Sequence, residues 1–452
     1  MPEERIIPQG WREVKLGEVG DFFKGAGIAK DDAQSGDLPA VRYGELYTDY
    51  DFKIATSTRS NISVQVASEA TEIHRGDLLF AGSGEKVEEI GKSAVFMLDK
   101  GYAGGDIVGF RPTDSDGLFL SYYLNTAGRK QINRLGQGQS IVHIHKPDLD
   151  GIKFLAPPKK EQQAIVSVLE VWDEAVEKLK RKIALKEKLK KGLMQQLLTV
   201  PKGVDAPALR TIDPETSKPF ASEWKNVKLG EVSKTLVPPR KLQNKEFQKT
   251  GKFSIVDQSP DIICGYTNNE RAILPSGEYL IFGDHSEVIK FVDFQFAQGA
   301  DGIKIITPLK CHSELDSESM DSASKHKMTN MCDTRFVYYS FSKHYKVLGN
   351  YKRHWSGARE TKISLPTLPE QQAISSILST ADRELDALRS ILSNLKEQKK
   401  FLLSNLVTGQ IRLPEFEILN QAQDDRSEIR DDGSLHEDDN SVILKKRRQN
   451  DE

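Results

Sequence analysis

Residues 161–199 read EQQAIVSVLEVWDEAVEKLKRKIALKEKLKKGLMQQLLT, and residues 370–408 repeat them without a gap as EQQAISSILSTADRELDALRSILSNLKEQKKFLLSNLVT. The two segments are identical at 14 of 39 aligned positions. A shorter repeat precedes each of them, since Lys-Leu-Gly-Glu-Val at 15–19 recurs at 228–232 with a tryptophan four residues before it. The residues in between show no visible kinship. The sequence therefore places two unlike domains on one duplicated frame.

Both long segments carry the apolar spacing of a coiled coil, with alternating intervals of four and three residues. Lys186 and Lys190 interrupt the first seam, and Lys399 interrupts the second. The spacing predicts two helices of about 58 Å each at ~1.5 Å per residue. The predicted seam residues are Ile165, Leu169, Trp172, Val176, Leu179 and Ile183 in the first helix, and Ile374, Leu378, Leu385, Leu388, Leu392 and Leu395 in the second.

The simplest packing pairs the two helices antiparallel, with the two domains at opposite ends of a rod and related by a pseudo-two-fold axis. Pro157 and Pro366 mark the helix starts. Glu161 and Glu370 lie in the first turn, where the helix dipole favours an anion.

The predicted organisation has six parts, and the fold class is a mixed α/β (α+β) one because neither domain shows a regular βαβ rhythm. The parts are a first domain at 1–158, a helix at 159–200, a linker at 201–223, a second domain at 224–366, a helix at 367–409 and a C-terminal segment at 410–452. Strands are predicted at 78–82, 93–98, 273–274, 279–282 and 303–306, and shorter helices at 118–134 and 336–348. Residues 311–333, rich in Ser, Asp and Glu, are predicted to be a disordered insertion.

Composition narrows the function classes. The formal net charge is −2, but the acidic tail at 415–452 carries −6, so residues 1–414 carry +4. The predicted insertion carries −3, which leaves a body of about +7 that permits nucleic-acid binding without requiring it. No apolar run is long enough to span a membrane. Three cysteines do not make a disulfide framework, so a reducing, cytoplasmic location is expected.

The approaches to the two long helices resemble a known family. Residues 155–163 (LAPPKKEQQ) and 365–372 (LPTLPEQQ) are similar to the doubled motif of specificity subunits of bacterial type I restriction-modification systems. The resemblance extends from Trp11 to Pro414, with the insertion and the acidic tail as departures. Further segments resemble recurring motifs of the target recognition domains of this family: 42–47 (RYGELY), 82–85 (GSGE), 90–92 (IGK), 103–106 (AGGD), 282–285 (FGDH), 290–293 (KFVD) and 299–302 (GADG).

The resemblance implies a non-catalytic subunit that binds double-stranded DNA. In that family each target recognition domain reads one half of a split, asymmetric DNA sequence. The helical rod sets the spacer and docks two adenine-methylating (M) subunits, and a motor-nuclease (R) subunit joins for restriction. No cofactor is then expected on this chain, because S-adenosylmethionine and ATP belong to the partner subunits.

Base readout requires side-chain donors and acceptors on loops or strand ends. The first domain offers Ser83, Lys86, Gln137, Gln139, Ser140, His143, His145 and Lys146, and the second offers His285, Lys290, Lys352, Arg353, His354, Trp355 and Arg359. For any one of these residues the alternative interpretation is a solvated surface residue or a fold stabiliser. Asp284 and Asp301 are expected to form turns instead.

Signatures of catalysis and of metal binding are incomplete. Gly91-Lys92-Ser93 resembles the end of a phosphate loop, but Lys86 stands where the upstream glycine is required. The Asn/Asp-Pro-Pro-aromatic tetrad of amino-methylating enzymes is absent from the sequence. A metal pair at His143 and His145 is disfavoured because alternate strand or loop positions explain the two histidines. A zinc site from Cys311, His312, His326 and Cys332 is disfavoured because adjacent Cys and His ligands are geometrically awkward. Two alternatives stay open: a self-contained restriction or methylation enzyme, and a coiled-coil scaffold that does not bind DNA.

Overall fold

The computed structural model describes residues 7–416 apart from positions 86–88, 137–141, 201–206, 208, 222, 301, 312–328 and 331. The chain divides into two compact units, one of residues 1–177 with 393–452 and one of residues 178–392. Each unit holds one α/β domain and part of both long helices. The predicted tail from 417 onward and positions 312–328 and 331 of the predicted insertion lie outside the described residues. The prediction of disorder is wrong at the ends of the insertion, because Cys311 pairs with Thr329 in a two-stranded sheet and Cys332 is fully buried in a core.

Two main β-sheets, together with two short two-stranded pairs, form the described part of the domain of the first unit. Its strands are β1 (Arg12–Lys15), β2 (Gly20–Lys24), β3 (Leu38–Val41), β4 (Lys53–Ile54), β5 (Ser60–Ile62), β6 (Thr71–His74), β7 (Leu78–Ala81), β8 (Ser83–Gly84), β9 (Ser93–Phe96), β10 (Lys100–Ala103), β11 (Ile107–Pro112), β12 (Val142–His143) and β13 (Lys153–Ala156). The main sheets have the orders β2-β11-β7-β9-β4 and β5-β3-β10-β6, and the short pairs are β1 with β13 and β8 with β12. Strand β7 is buried on both faces, with Phe80 in one core and Leu79 in another. This double burial explains its continuous apolar sequence.

The helix predicted at 118–134 is divided in two. The helices of the first unit are α1 (Glu45–Thr48), α2 (Val64–Ala67), α3 (Gly117–Asn125), α4 (Arg129–Leu135), α5 (Lys146–Asp150) and the first part of α6 (Lys159–Leu198), with 3-10 turns at Leu16–Glu18 and Lys30–Ala33. The Asn125 amide donates to the Ser93 carbonyl at 2.7 Å and accepts from the Ser93 N–H at 3.1 Å. Because strand β9 holds Asn125 in this way, the chain leaves the helix before Arg129.

The domain of the second unit is built on the same plan. Its strands are β14 (Lys225–Lys228), β15 (Ser233–Leu236), β16 (Lys241–Leu242), β17 (Phe253–Val256), β18 (Gly265–Thr267), β19 (Ile273–Leu274), β20 (Tyr279–Gly283), β21 (Ile289–Val292), β22 (Phe296–Gly299), β23 (Ile303–Pro308), β24 (Lys310–Cys311), β25 (Thr329–Asn330) and β26 (Lys362–Leu365). The sheets have the orders β15-β23-β20-β21 and β16-β22-β17-β18, with β19 added beside β22. Strand β20 is buried on both faces like β7, with Phe282 in one core and Ile281 in another.

The helix predicted at 336–348 is shorter than expected at its C-terminal end. The helices of the second unit are the remainder of α6, α7 (Leu229–Val232), α8 (Thr334–His344), α9 (Trp355–Ala358) and α10 (Leu368–Leu406), the last of which continues into the first unit, with 3-10 turns at Asn244–Glu246 and Glu270–Ala272. Helix α8 ends at His344 because the following residues bind the buried carboxylate of Glu287, as described below.

The short repeated motif closes each domain. Strand β1 pairs antiparallel with β13, and β14 pairs antiparallel with β26, so the start of each domain lies beside the strand that leads into a long helix. Glu18 accepts a hydrogen bond from the Lys15 N–H at 2.9 Å, and Glu231 accepts one from the Lys228 N–H at the same distance. The motif is therefore structural.

The Glu-Gln-Gln motif joins α6 to the first domain. Glu161 is 1% exposed and accepts from Arg412 Nε at 2.9 Å, Arg412 Nη2 at 2.7 Å and Trp11 Nε1 at 3.1 Å. The Gln162 amide donates to the Pro157 carbonyl at 2.9 Å and accepts from the Asp116 N–H at 2.8 Å. Asp116 is the N-cap of α3, so Gln162 fixes that helix to the start of α6.

The second copy makes the equivalent contacts in the second unit. Glu370 is buried and accepts from Arg210 Nη2 at 3.0 Å. The Gln371 amide donates to the Pro366 carbonyl at 2.8 Å and accepts from the N–H of Asp333, the N-cap of α8, at 2.9 Å. The third residue of each motif is exposed. The repeated sequence is thus a repeated joint between a domain and a helix.

The lysines that interrupt the heptad seams have a defined role in the structure. In the first unit, Lys399 of α10 donates to Asp173 of α6, which also accepts from the Tyr122 hydroxyl at 2.5 Å. The Lys399 ammonium lies 4.9 Å from the centre of the Phe52 ring. Burial and the neighbouring Asp173 raise the pKa of Tyr122, so its hydroxyl stays protonated and can donate.

The second unit repeats this arrangement with the helices exchanged. Lys190 of α6 donates to Asp382 of α10, and the Tyr339 hydroxyl donates to the same carboxylate at 2.6 Å. Burial and Asp382 raise the pKa of Tyr339. Polar residues at seam positions fix the register of a coiled coil at some loss of apolar contact. Each unit therefore contains one lysine–aspartate–tyrosine contact that aligns a domain and both helices.

Within each unit the two helices run antiparallel. In the first unit, Ile165 near the start of α6 shares a core with Leu406 at the end of α10. In the second unit, Leu197 packs with Ile374, and Ile183 packs with Leu388. All twelve predicted seam residues are buried or half-buried.

Candidate nucleic-acid interface

Five of the eleven described candidates for DNA contact lie on one loop in each domain. In the first domain this loop joins α4 to α5 (residues 136–145), and in the second it joins α8 to α9 (residues 345–354). In chain order each loop follows a helix of its domain (α4 or α8) and precedes the strand (β13 or β26) that leads into a long helix. The sequence pattern therefore selected equivalent positions in two domains of unlike sequence.

In the first domain the described candidates come together at the end of β8. His143 of β12 pairs with Ser83 of β8, and Ser83 Oγ lies 3.0 Å from His143 Nδ1. The His145 ring lies parallel to the His143 ring, with centroids 6.2 Å apart. Lys146 begins α5 directly after His145. The remaining candidates of this domain, Lys86, Gln137, Gln139 and Ser140, lie outside the described residues.

These side chains border a cavity of about 340 Å³. Its lining is largely apolar, with Lys24, Asp106 and the two histidines among its polar residues; the apolar part comprises Phe22, Phe23, Ile107, Val108, Ile144 and Pro147. Imidazole and hydroxyl groups can donate to or accept from base edges, and apolar walls suit a thymine methyl group. The cavity therefore has the chemistry for reading a base edge.

In the second domain a buried carboxylate organises the loop. Glu287 is 5% exposed, has a φ of 56°, and accepts from the Tyr345 hydroxyl at 2.5 Å. It also accepts from the backbone N–H groups of Leu348 and Gly349, at 2.9 and 2.8 Å. Burial alone would raise the pKa of Glu287, but these donors and nearby His354 outweigh it and hold the pKa below its usual range.

The aromatic and basic candidates of this domain are arranged by the same loop. The His285 ring stacks on Tyr351 with centroids 5.0 Å apart, and His285 Nδ1 donates to the Lys352 carbonyl at 3.0 Å. Lys352 and Arg353 are exposed, and Tyr351 is 85% exposed. The loop thus presents an aromatic ring and two cations to solvent, a combination suited to bases and phosphates.

Trp355 and Arg359 flank this loop. Trp355 is half-buried, its ring centroid lies 6.0 Å from that of Phe282, and its backbone N–H donates to Asp284 Oδ1 at 2.8 Å. Arg359 is exposed after α9. Asp284 therefore fixes a turn as expected, while Asp301 lies outside the described residues.

Two candidates point inward. Lys290 is 5% exposed, and its ammonium donates to the Asp257 carbonyl at 2.8 Å and to the Asp261 carbonyl at 2.5 Å. Burial lowers the pKa of Lys290. His354 is 4% exposed, and its Nε2 donates to the Asn350 carbonyl at 2.8 Å. In this conformation both side chains stabilise the loops that carry the exposed candidates.

Replacing Glu287 by glutamine should loosen the loop at 345–354. Amide exchange at Leu348 and Gly349 should become about tenfold faster, because the charge-assisted acceptor is lost. The pKa of Glu287 is depressed in the folded state, so its stabilisation is present above the ordinary glutamate pKa and is lost as the pH falls through the folded value. The difference in melting temperature between the wild type and the variant should therefore be constant from about pH 7 to pH 5 and should shrink below the ordinary glutamate pKa, between about pH 4 and pH 2. An unchanged difference across that range would contradict this account.

No metal-binding or membrane-spanning feature appears in the part of the chain that the structure describes. No group of three or more His, Cys, Asp or Glu side chains there could hold a metal ion. Cys332 lies in the core of the second domain, and burial raises the pKa of its thiol to about 11. None of the described helices is both long and apolar enough to cross a bilayer.

Sequence reasoning did not select several residues that the structure places at these sites. They are Lys24 and Asp106 in the first domain, and Glu287, Lys346, His344 and Lys362 in the second. Lys346 extends the basic and aromatic run 351–355 on the N-terminal side, so a wider window would have found it. A single glutamate in Asp-His-Ser-Glu carries no comparable signal.

Comparison with known proteins agrees with the duplicated plan. The chain matches the model of the type I restriction modification DNA specificity domain twice, at residues 8–187 and 221–397. Because these matches cover most of the chain, it belongs to the family of type I restriction-modification specificity subunits. The family assignment inferred from the doubled Glu-Gln-Gln motif is therefore confirmed.

Individual relatives match over nearly their whole length. The type I restriction enzyme MjaVIII specificity subunit of Methanocaldococcus jannaschii is 22% identical over 436 residues, which cover 90% of this chain and 94% of that protein. The putative MjaX specificity subunit of the same organism is 24% identical over 441 residues, covering 90% and 95%. The crystal structure of the type I system S subunit from M. genitalium matches with a TM-score of 0.56 at 16% identity, covering 90% of this chain and 98% of that one. That likeness establishes the shared fold.

Proposed function

We propose that this chain is the DNA-recognition subunit of a type I restriction-modification complex. Each α/β domain reads one half of a split, asymmetric DNA sequence through its candidate loop, at 136–145 in the first domain and at 345–354 in the second. In this role the chain performs no catalysis itself. Its role is to place partner enzymes on the chosen DNA site.

One observation supports two different half-sites most directly. The joints and the lysine–aspartate–tyrosine contacts are the same in both units, whereas the candidate loops differ in chemistry. The first loop borders an apolar cavity with two histidines, and the second presents exposed cations and Tyr351. Two identical readers related by two-fold symmetry require a palindrome, but two unlike readers select an asymmetric target.

The partners are two adenine-methylating subunits and a motor-nuclease subunit. Exposed apolar side chains on the helices support docking there, since Leu185 and Leu189 are 68% and 56% exposed in the second unit, and Phe401 is 61% exposed in the first. S-adenosylmethionine and ATP would bind to those partners.

Modified-base sequencing of a host that expresses this chain with its methylating partner tests the proposal. The expected result is one split, non-palindromic motif with a methylated adenine on each strand, which disappears when this chain is deleted. A palindromic motif would argue against two readers. Purified chain that methylates or cuts DNA unaided would overturn the recognition-only role.

A further inference from the structure

We propose that the second domain contains a built pocket for a DNA backbone phosphate, formed by Lys346, Lys352, Arg353 and Lys362. This inference rests on the proposed function and assigns a ligand class to one part of the interface. The pocket has a volume of about 560 Å³ and lies between the loop 345–354 and the start of β26. It would hold the duplex without reading its sequence.

The charge of the pocket is one-sided. Its lining includes these four cations and no Asp or Glu. Among the described residues, none of the four forms an ion pair with a carboxylate. The neighbouring acids have other partners, since Glu360 pairs with Lys228 at 2.6 Å and Glu287 accepts hydrogen bonds from three donor groups. The pocket therefore keeps a positive charge that an anion can neutralise.

Two hydroxyl groups in the lining also favour an anion. The hydroxyls of Ser356 and Thr361 line the same space and can donate to phosphate oxygens. A Cβ atom added at Gly357 would meet no atom within 4 Å, so the pocket is open on that side.

The buried Glu287 acts as a positioning residue for this pocket. It binds the backbone of Leu348 and Gly349, between Lys346 and Lys352. These contacts hold the loop in one conformation. The entropic cost of ordering the four cations around an anion is therefore lower. A phosphodiester is the preferred ligand over a base edge because Lys and Arg at an exposed rim supply charge, whereas base specificity needs fixed bidentate partners.

The salt dependence of DNA binding tests the proposal with the full-length chain. The wild type, K352A/R353A and the control K245A/K249A, which removes two exposed lysines outside the pocket, are titrated with a target duplex and a random duplex by fluorescence anisotropy. The pocket variant should lose affinity for both duplexes equally. The ratio of wild-type affinity to variant affinity should fall about three- to tenfold between 50 and 200 mM salt, as expected for the loss of one or two phosphate contacts. The control should behave like the wild type.

A second variant avoids removing side chains from the loop. Gly357→Asp places a carboxylate into open space at the pocket and should weaken binding to both duplexes at least about tenfold. Gly192→Asp on α6 adds the same charge where a Cβ atom also meets nothing within 4 Å, and it should leave binding unchanged.

The outcomes separate the two proposals. Wild-type chain that binds no duplex would overturn the recognition function and the pocket with it. Wild-type binding with equal salt slopes in all variants would overturn the pocket alone, as would a loss confined to the target duplex. If 10 mM inorganic phosphate at constant ionic strength abolished the difference between wild type and variant, the site would be one for free phosphate and not for DNA.

Discussion

Replacing Glu161 by alanine should destabilise the first unit by about 3–5 kcal/mol, because it leaves the buried guanidinium of Arg412 without its counter-charge. Glu161 is 1% exposed, and the Arg412 side chain is 11% exposed. The Trp11 indole N–H would lose its acceptor as well. The loss can be measured by hydrogen exchange across the first unit, which reports its stability separately from that of the second.

The repeated motif supplies its own control. Gln163 belongs to the same Glu-Gln-Gln sequence but is exposed, so Gln163→Ala should change the free energy of unfolding by no more than about 0.5 kcal/mol. The double variant Glu161→Leu with Arg412→Met removes both charges and should be more stable than Glu161→Ala. Equal effects of Gln163→Ala and Glu161→Ala would refute the buried joint.

The long helices could be predicted from the sequence because their signal is local. An apolar seam of alternating four- and three-residue intervals requires only one other helix to pack against. Within each unit the other long helix provides that surface. The same pattern could not explain Lys190 and Lys399, which appear as defects in the seam. Their partners, Asp382 and Asp173, lie on the other helix, some two hundred positions away in the sequence.

The shorter helices were predicted less well because tertiary contacts determine where they end. Leu118 to Arg134 has the periodicity of one helix, but the hydrogen bonds of Asn125 to Ser93 divide it. The C-terminal end of α8 depends on Glu287, which precedes that helix by more than forty residues. Neither contact leaves a trace in the local sequence pattern.

The candidate sites show the same limit at the level of side chains. Residue type and loop position were enough to select the two equivalent loops. They could not separate Lys352, which faces solvent, from Lys290, whose ammonium binds two buried carbonyl groups. Exposure depends on packing, and packing is not visible in residue type alone.

Under the proposed recognition function, inserting one heptad into both long helices should lengthen the DNA spacer by about three base pairs while leaving both half-sites unchanged. Seven residues add ~10.5 Å to each helix, and B-DNA rises ~3.4 Å per base pair. The insertions belong between Glu177 and Lys178 in α6 and between Leu392 and Ser393 in α10, where the chain passes from one unit to the other. A whole heptad keeps the apolar seam facing its partner.

The contacts inside each unit explain why both helices must be extended. An insertion in α6 alone lengthens one helix between Asp173 and Lys190, but α10 keeps its length between Asp382 and Lys399. Both lysine–aspartate contacts then cannot form together in the original register, so the single insertion should reduce methylation more than tenfold. The paired insertion should preserve both contacts and therefore the fold of each unit.

Modified-base sequencing distinguishes these outcomes. The paired variant should methylate the original half-sites at the longer spacing, with lower efficiency, because three base pairs also rotate the second half-site by about 100° around the duplex. Changed half-sites would mean that the helices contribute to base reading. An unchanged spacer would mean that the helices do not set the distance between the readers.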